Sequence, residues 1–437
     1  MPTERWWQRG LVIGAGVILA LALLAVTAVA AGLAWTNPET VSNNNPVGYP
    51  TEKVDAVDLS FAGDGSLQAV WVEKVVGAST QFNILHASAT YSSGDGWSWS
   101  GPDTVINDQY SPASLTVDSS NRLHVSYPNK DKSSIRFSRG TWSGSSWAWA
   151  HNVLNSPPNF GTTQADTAGW PVIAVSGSYL HVVWAEIDDD PYHAFQIVHG
   201  ASENWGSTWP QSLTTEVYSS TKTSQYPDMV VGQDGKLHVV WEEGASTNAV
   251  IYYVYGTTSG ADVSWSTPIT VSGTMTDCHR PSIAIVGNQL YAAWGQTVGD
   301  KTNQDVYYST KTVAQGTWPT PTKLPDGHIA LGNTAPTYVS PGIAATSEGR
   351  VIIVWDGYVS AGQNGKEDIY FSETTDIADS GAWTERTNVS SNAGASYGPA
   401  VVLDDRGIVH VMWIDEFSAL HAHSQYRVLL PLALKNY

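Results

Sequence analysis

Two scarcities narrow the reading at once. A single cysteine, Cys278, in 437 residues excludes an intrachain disulfide framework and any cysteine-rich metal site. Charged residues make up only 14% of the chain, and Lys plus Arg number 21 against 40 acids, for a formal net charge of -19. Nucleic acid is therefore excluded as a partner, since phosphate binding needs clustered cations to displace counterions. Helix-forming, charge-rich stretches are also scarce. In their place stand 39 Gly, 20 Trp and 20 Tyr, with 42% hydrophobic residues overall. That mixture predicts an all-β, extracellular protein with a large core.

The apolar content is periodic. Leu67 to Glu73, Leu123 to Asn129, Leu180 to Glu186, Leu237 to Glu243, Leu290 to Gln296, Val351 to Gly357 and Ile408 to Asp415 are variants of one run. Their aromatic anchors Trp71, Tyr127, Trp184, Trp241, Trp294, Trp355 and Trp413 are separated by 56, 57, 57, 53, 61 and 58 residues. Such regularity is an array of one supersecondary unit. In the fourth unit, Tyr226 to Val231, the turn Gln233-Asp234-Gly235, Leu237 to Trp241, Val250 to Tyr255 and Ser264 to Val271 read as a four-stranded antiparallel meander. Seven such units around an axis make a seven-bladed β-propeller, which leaves only short, protected edges.

The last unit lacks a fourth strand. Trp35-Thr36-Asn37-Pro38-Glu39-Thr40-Val41-Ser42 matches Trp265 to Ser272 in pattern, so the N-terminal segment is expected to complete the seventh blade. Ahead of it, Arg5 and Arg9 precede an uncharged run from Leu11 to Ala34. Retained membrane-anchor helix and cleaved signal peptide both fit it, and either predicts export to the cell surface or beyond. The expected organisation is residues 1–34 as signal or anchor, 35–426 as propeller and 427–437 as a tail.

Ser202-Glu203-Asn204-Trp205-Gly206-Ser207-Thr208-Trp209 is similar to the Asp-box, Ser-x-Asp-x-Gly-x-Thr-Trp, with Asn in the Asp place, and Ser92 to Trp99 is a degraded copy. The chain thus resembles exported bacterial propellers of the sialidase superfamily, the BNR or Asp-box type. The resemblance implies a propeller in which the box is a folding device opposite the active face. It also implies an arginine triad, a Tyr nucleophile with a Glu, and an Asp acid/base. Only Arg280 is placed at the top of a first strand, so the triad is not expected here.

Residues two beyond each anchor (Glu73, Asn129, Glu186, Glu243, Gln296, Gly357 and Asp415) are expected to ring the channel. Tyr110, Trp170, Tyr226, Arg280 and Tyr397, just before first strands, are expected to form a second ring. Aromatic faces beside carboxylates suit sugar recognition. The ligand-binding candidates are accordingly Tyr110, Trp170, Tyr226, Arg280, Tyr397, Glu73 and Asp415, with a glycan or other extracellular ligand as partner. Strand-end capping by the acids is the plainer alternative, and a protein-interaction scaffold is a third. For a hydrolase or lyase, Glu186 and Glu243 are the acid–base candidates.

No metal or cofactor is expected, and the chain is expected to be a monomer. His124, His181, His238 and His410 share one second-strand position and are expected to pack between blades. Asp188 to Asp190 lacks the spacing of a calcium loop. Cys278 beside His279 has no orienting third residue and is expected to be inert. The long loops Asn155 to Gly169 and Pro325 to Val339 are expected to wall the pocket.

Overall fold

The computed structural model describes residues 33–42, 57–74, 82–93, 96–153, 168–187, 194–218, 220–244, 248–298, 303–330, 338–357, 367–392, 394–415 and 418–425. The signal or anchor segment, most of the loop Asn155 to Gly169, residues 331–337 of the second long loop, Asp188 to Asp190 and the C-terminal tail lie outside them. Pro325 to Ala330, expected as loop, belong to the strand Thr322–Ala330. Among the described residues no helix is long and apolar enough to cross a membrane.

The described residues form seven antiparallel sheets, with strands in chain order from the channel outward in six and an N-terminal outermost strand in the seventh. The first strands are Val57–Phe61, Ser114–Val117, Ala168–Ser176, Ser224–Val231, Cys278–Val286, Gly342–Ala345 and Ser396–Leu403, which begin blades one to seven. The second strands carry the anchors. Leu237–Glu243 is buried at every position because neighbouring blades cover both faces, and up to Trp241 the run is apolar except at His238.

Among the described residues the apolar side chains form seven layers, one at each blade boundary, rather than a single core. Each anchor packs against the preceding blade: Trp241 with Trp170, Val183 and Ile197 of blade three, Trp355 with Tyr291 and Val306 of blade five. Trp71, in blade one, packs with Met412, Ile414 and Ala419 of blade seven, so the layers close into a circle. Burying a Trp or Leu side chain contributes about 1.5–3 kcal/mol, which makes each boundary a strong joint.

The seventh blade is completed by the N-terminal segment. Glu39 pairs with His421 and Thr40 with Leu420 in antiparallel register, and Trp35 bridges to Ser424. Trp35 also meets Phe371 edge to face at 5.0 Å, and the Glu39 carboxylate accepts the Trp99 indole N–H of blade one at 3.0 Å. The first and last segments of the ring are thus bonded to each other and to both flanking blades.

The expected box in blade three is formed. Ser202 Oγ accepts the Gly206 N–H at 2.9 Å, Asn204 Oδ1 accepts the Thr208 N–H at 2.8 Å, and Trp209 is buried. Asn serves in the Asp place because the turn asks for an acceptor, not a charge.

Candidate functional site

The first strands line the channel, and four of them are irregular at one place. Pairing with the second strand skips between Gly169 and Val172, Gln225 and Asp228, His279 and Ser282, and Tyr397 and Ala400. Each skip is a bulge of one residue and a proline: Trp170-Pro171, Tyr226-Pro227, Arg280-Pro281 and Gly398-Pro399. Proline supplies no N–H, so the unpaired position leaves no orphan donor there. It also bars the preceding residue from the right-handed helical region. That residue is left-handed in all four blades, with φ of 52° at Trp170, 51° at Tyr226, 53° at Arg280 and 56° at Gly398. For the three side-chain-bearing residues this costs about 1–3 kcal/mol each. The bulge N–H of Arg280 is taken by Glu242 at 3.3 Å, and that of Gly398 by Asp356 at 3.1 Å, each acid reaching from the preceding blade.

The bulges bring three of the candidates together. The Trp170 and Tyr226 ring centroids are 4.5 Å apart, and the Arg280 guanidinium lies 4.8 Å from the Tyr226 ring. Arg280 Nη1 donates to Ser340 Oγ at 3.3 Å. Trp170 is 7% exposed, so it backs Tyr226 and offers no open face of its own. These residues stand within their first strands rather than just before them. Tyr110 and Tyr397 stand one residue earlier, beside Ser111-Pro112 and Gly398-Pro399, and are not among the residues lining the channel cavity. The Tyr110 ring carries Lys132 Nζ at 4.0 Å, and Tyr397 is buried.

Below the bulges lies a cavity of about 240 Å³. Its walls include a ring formed by one residue from each first strand: Asp58, Ser114, Val172, Asp228, Ser282, Gly342 and Ala400. Asp58 accepts the backbone N–H of Leu115 in blade two at 2.8 Å and the Ser114 hydroxyl at 3.1 Å. Asp228 accepts the N–H of Ile283 in blade five at 2.8 Å. Burial pushes the Asp58 carboxyl up to about 6 against its hydrogen bonds, and Asp228 raises it further. Burial likewise raises Asp228. Two carboxylates of elevated proton affinity therefore share one small chamber with the Arg280 cation.

These acids were not singled out by sequence. The available signal is positional: each of the seven ring residues is followed directly by an apolar residue, as in Asp58-Leu59 and Asp228-Met229.

Of the four acids two beyond the anchors, Glu73, Glu186 and Glu243 are buried. Glu186 accepts its own Trp184 indole N–H at 2.7 Å, and Glu243 accepts Trp241 at 3.0 Å together with the Ser224 hydroxyl at 2.5 Å. Residues i and i+2 of a strand share a face, which is why anchor and acid meet. Glu73 is buried and its carboxyl is raised by that burial, while Asp415 accepts from Asn392 at 2.8 Å. Gln296 accepts the Cys278 thiol at 2.8 Å, and burial pushes that thiol up to about 12, so Cys278 is a neutral packing group.

Among the described residues no cluster of three or more His, Cys, Asp or Glu is placed to hold a metal ion. The shared histidines sit on the second strands: His181 meets His199 of the third strand at 3.0 Å and His410 meets His421 at 3.1 Å, while His410 and His124 also pack against Trp97 and Trp205 of the next blade. Arg280 is the one arginine among the cavity-lining residues. Arg122, Arg350 and Arg406 pair instead with Asp118, Glu373 and Asp404.

A protein of unknown function from Dyadobacter fermentans is similar in structure, with a TM-score of 0.51 and 12% identity over 77% of this chain and 98% of that one. In fold the chain is a seven-bladed β-propeller of antiparallel blades. An α-L-arabinanase from Penicillium chrysogenum, solved with arabinobiose, is similar at a TM-score of 0.47 and 13% identity, over 90% of this chain and 98% of that one. A leech intramolecular trans-sialidase, solved with 2,7-anhydro-Neu5Ac, is similar at 0.47 and 11% identity, over 89% of this chain and 70% of that one. No protein-family model matches the chain, and no curated protein matches it in sequence. At these identities the likeness concerns architecture, and function rests on the site itself.

Proposed function

We propose that the chain is an exported, monomeric cell-surface propeller that binds a glycan at the mouth of its central channel. The observation that carries this reading is the convergence of the Tyr226–Arg280 stack with Asp58 and Asp228 on one cavity. An aromatic body, a fixed guanidinium and hydrogen-bond acceptors in a small chamber are what a ring bearing hydroxyls needs. The strained bulges hold these groups in place before any ligand arrives, which lowers the ordering cost of binding. Tyr110, Tyr397, Glu73 and Asp415 shape the rim around the mouth in this reading.

Glycan hydrolysis is a second reading, favoured by one observation: Asp58, with its carboxyl near 6, is a competent proton donor at neutral pH beside Asp228. Glu186 and Glu243 are the alternative pair. A glycan-array screen of the full-length chain, followed by mass analysis of any ligand after incubation, separates these readings. Retention of intact ligand supports binding, released product supports hydrolysis, and a blank array contradicts both.

A further inference from the structure

A second cavity, of about 380 Å³, lies between blades four and five at the opposite end of the strands from the channel-mouth bulges. It arises where blade five departs from the box turn of blade three. Ser202 stands seven residues before Trp209, and Lys311 stands seven before Trp318. Ser202 Oγ accepts a turn N–H, whereas Lys311 Nζ donates to the turn carbonyl of Gln315 at 2.8 Å. The substitution places an ammonium group where the box has a hydroxyl.

That ammonium is poorly compensated. Lys311 is 3% exposed, its Nζ lies 4.7 Å from the Tyr253 ring and 5.6 Å from that of Trp318, and burial lowers its proton affinity. Among the described residues no carboxylate pairs with it. Ring faces attract a cation but do not replace the charge partner that a buried ion needs. A carboxylate that serves other blades is also missing here. His124 and His410 face Asp118 at 2.9 Å and Asp404 at 3.9 Å, six residues earlier, but six residues before His238 stands Gly232. His238 Nε2 is buried with no partner among the described residues. Lys236 at the mouth is matched by Asp234 at 2.7 Å, so the net charge left in the cavity is that of Lys311.

We propose that this cavity is a binding site for a small monoanionic ligand, specifically a carboxylate-bearing sugar. Its carboxylate pairs with Lys311, its ring lies on the 40% exposed Tyr255, and its hydroxyls meet Thr267 and Gln315 at the mouth. One uncompensated cation selects one negative charge, and an otherwise acidic chain of net charge -19 makes such a spot distinctive.

The test is calorimetric titration of the full-length chain with glucuronate, with glucose as the neutral control and acetate as competitor. Glucuronate is expected to bind one to one, acetate to compete, and glucose to bind at least tenfold more weakly. Lys311→Met is expected to weaken glucuronate at least tenfold and Tyr255→Ala severalfold. Should Lys311→Met fail to fold, the exposed Tyr255→Ala decides the site. Absent glucuronate binding, equal binding of glucose, or unchanged affinity in Tyr255→Ala overturns the proposal.

Discussion

Asp228 of blade four accepts the backbone N–H of Ile283 in blade five at 2.8 Å, and Asp58 makes the same bond to Leu115 between blades one and two. Each carboxylate therefore stitches two blades together while facing the central cavity. A charged form is stabilised by the N–H groups and penalised by burial, and burial wins at Asp58, whose carboxyl sits near 6.

That balance sets a pH dependence. The folded Asp58 holds its proton to about 6, whereas an unfolded Asp releases it near 4. Between those values the folded state binds more protons, so this residue's contribution to stability declines as pH rises from about 4 to 6. Two units correspond to roughly 3 kcal/mol. Asp58→Asn keeps an acceptor for Leu115 and removes the titration. The melting temperature of the variant relative to the parent should rise across that window, and a constant difference would contradict the assignment.

The histidine layer works in the other direction. Burial lowers His86 to about 3 and His181, His238 and His410 to about 4, so the fold keeps them neutral. An unfolded His binds its proton near 6.5. Their stabilising contribution is complete above that value and is lost as pH falls from 6.5 towards 4, by roughly 1.4 kcal/mol for each unit of difference. His181→Gln retains a polar partner for His199 and should flatten the acid limb of the stability curve. An unchanged limb would show that His181 is not among the groups that titrate on unfolding.

Closure of the ring predicts a mechanical result. Trp35 packs on Phe371, Val41 N–H bonds Ala419, and Thr36 N–H bonds His423, all from one short segment. Removing 35–42 exposes the edge of the seventh blade and should abolish the single cooperative melting transition, while Trp35→Ala should cost about 2 kcal/mol for a partly buried aromatic. Differential scanning calorimetry reads both. An unaltered transition in the deletion would mean that the seventh blade does not depend on its N-terminal strand.

Much of this architecture was readable from residue order alone. The six Trp anchors and Tyr127 gave the seven units, because a second strand covered on both faces is mostly apolar up to its anchor. The match of Trp35 to Ser42 with Trp265 to Ser272 gave the closing strand. The box at Ser202 to Trp209 gave the turn geometry, since its acceptors and its Gly at φ of 77° are local requirements. What was not readable depends on register. A proline in a strand marks an interruption, but nothing in Tyr226-Pro227 announces a left-handed residue that turns Tyr226 towards Arg280 and sets Asp228 on the channel wall. Tyr110 and Tyr397 share with Trp170 a place at the start of a first strand, yet each stands one residue further from its proline and does not line the cavity. Asp58 escaped notice because the first strand of blade one has no proline to mark it.

The channel mouth is the centre of the functional account, and one comparison bears on it directly. Titration of an array-selected glycan into the parent chain and into Tyr226→Ala, with near-ultraviolet circular dichroism to verify the fold, measures the dissociation constant that the site sets. The account predicts at least a tenfold weaker constant, about 1.4 kcal/mol, in a variant that folds as the parent does. An unchanged constant in that folded variant would contradict it and place the ligand away from the channel mouth.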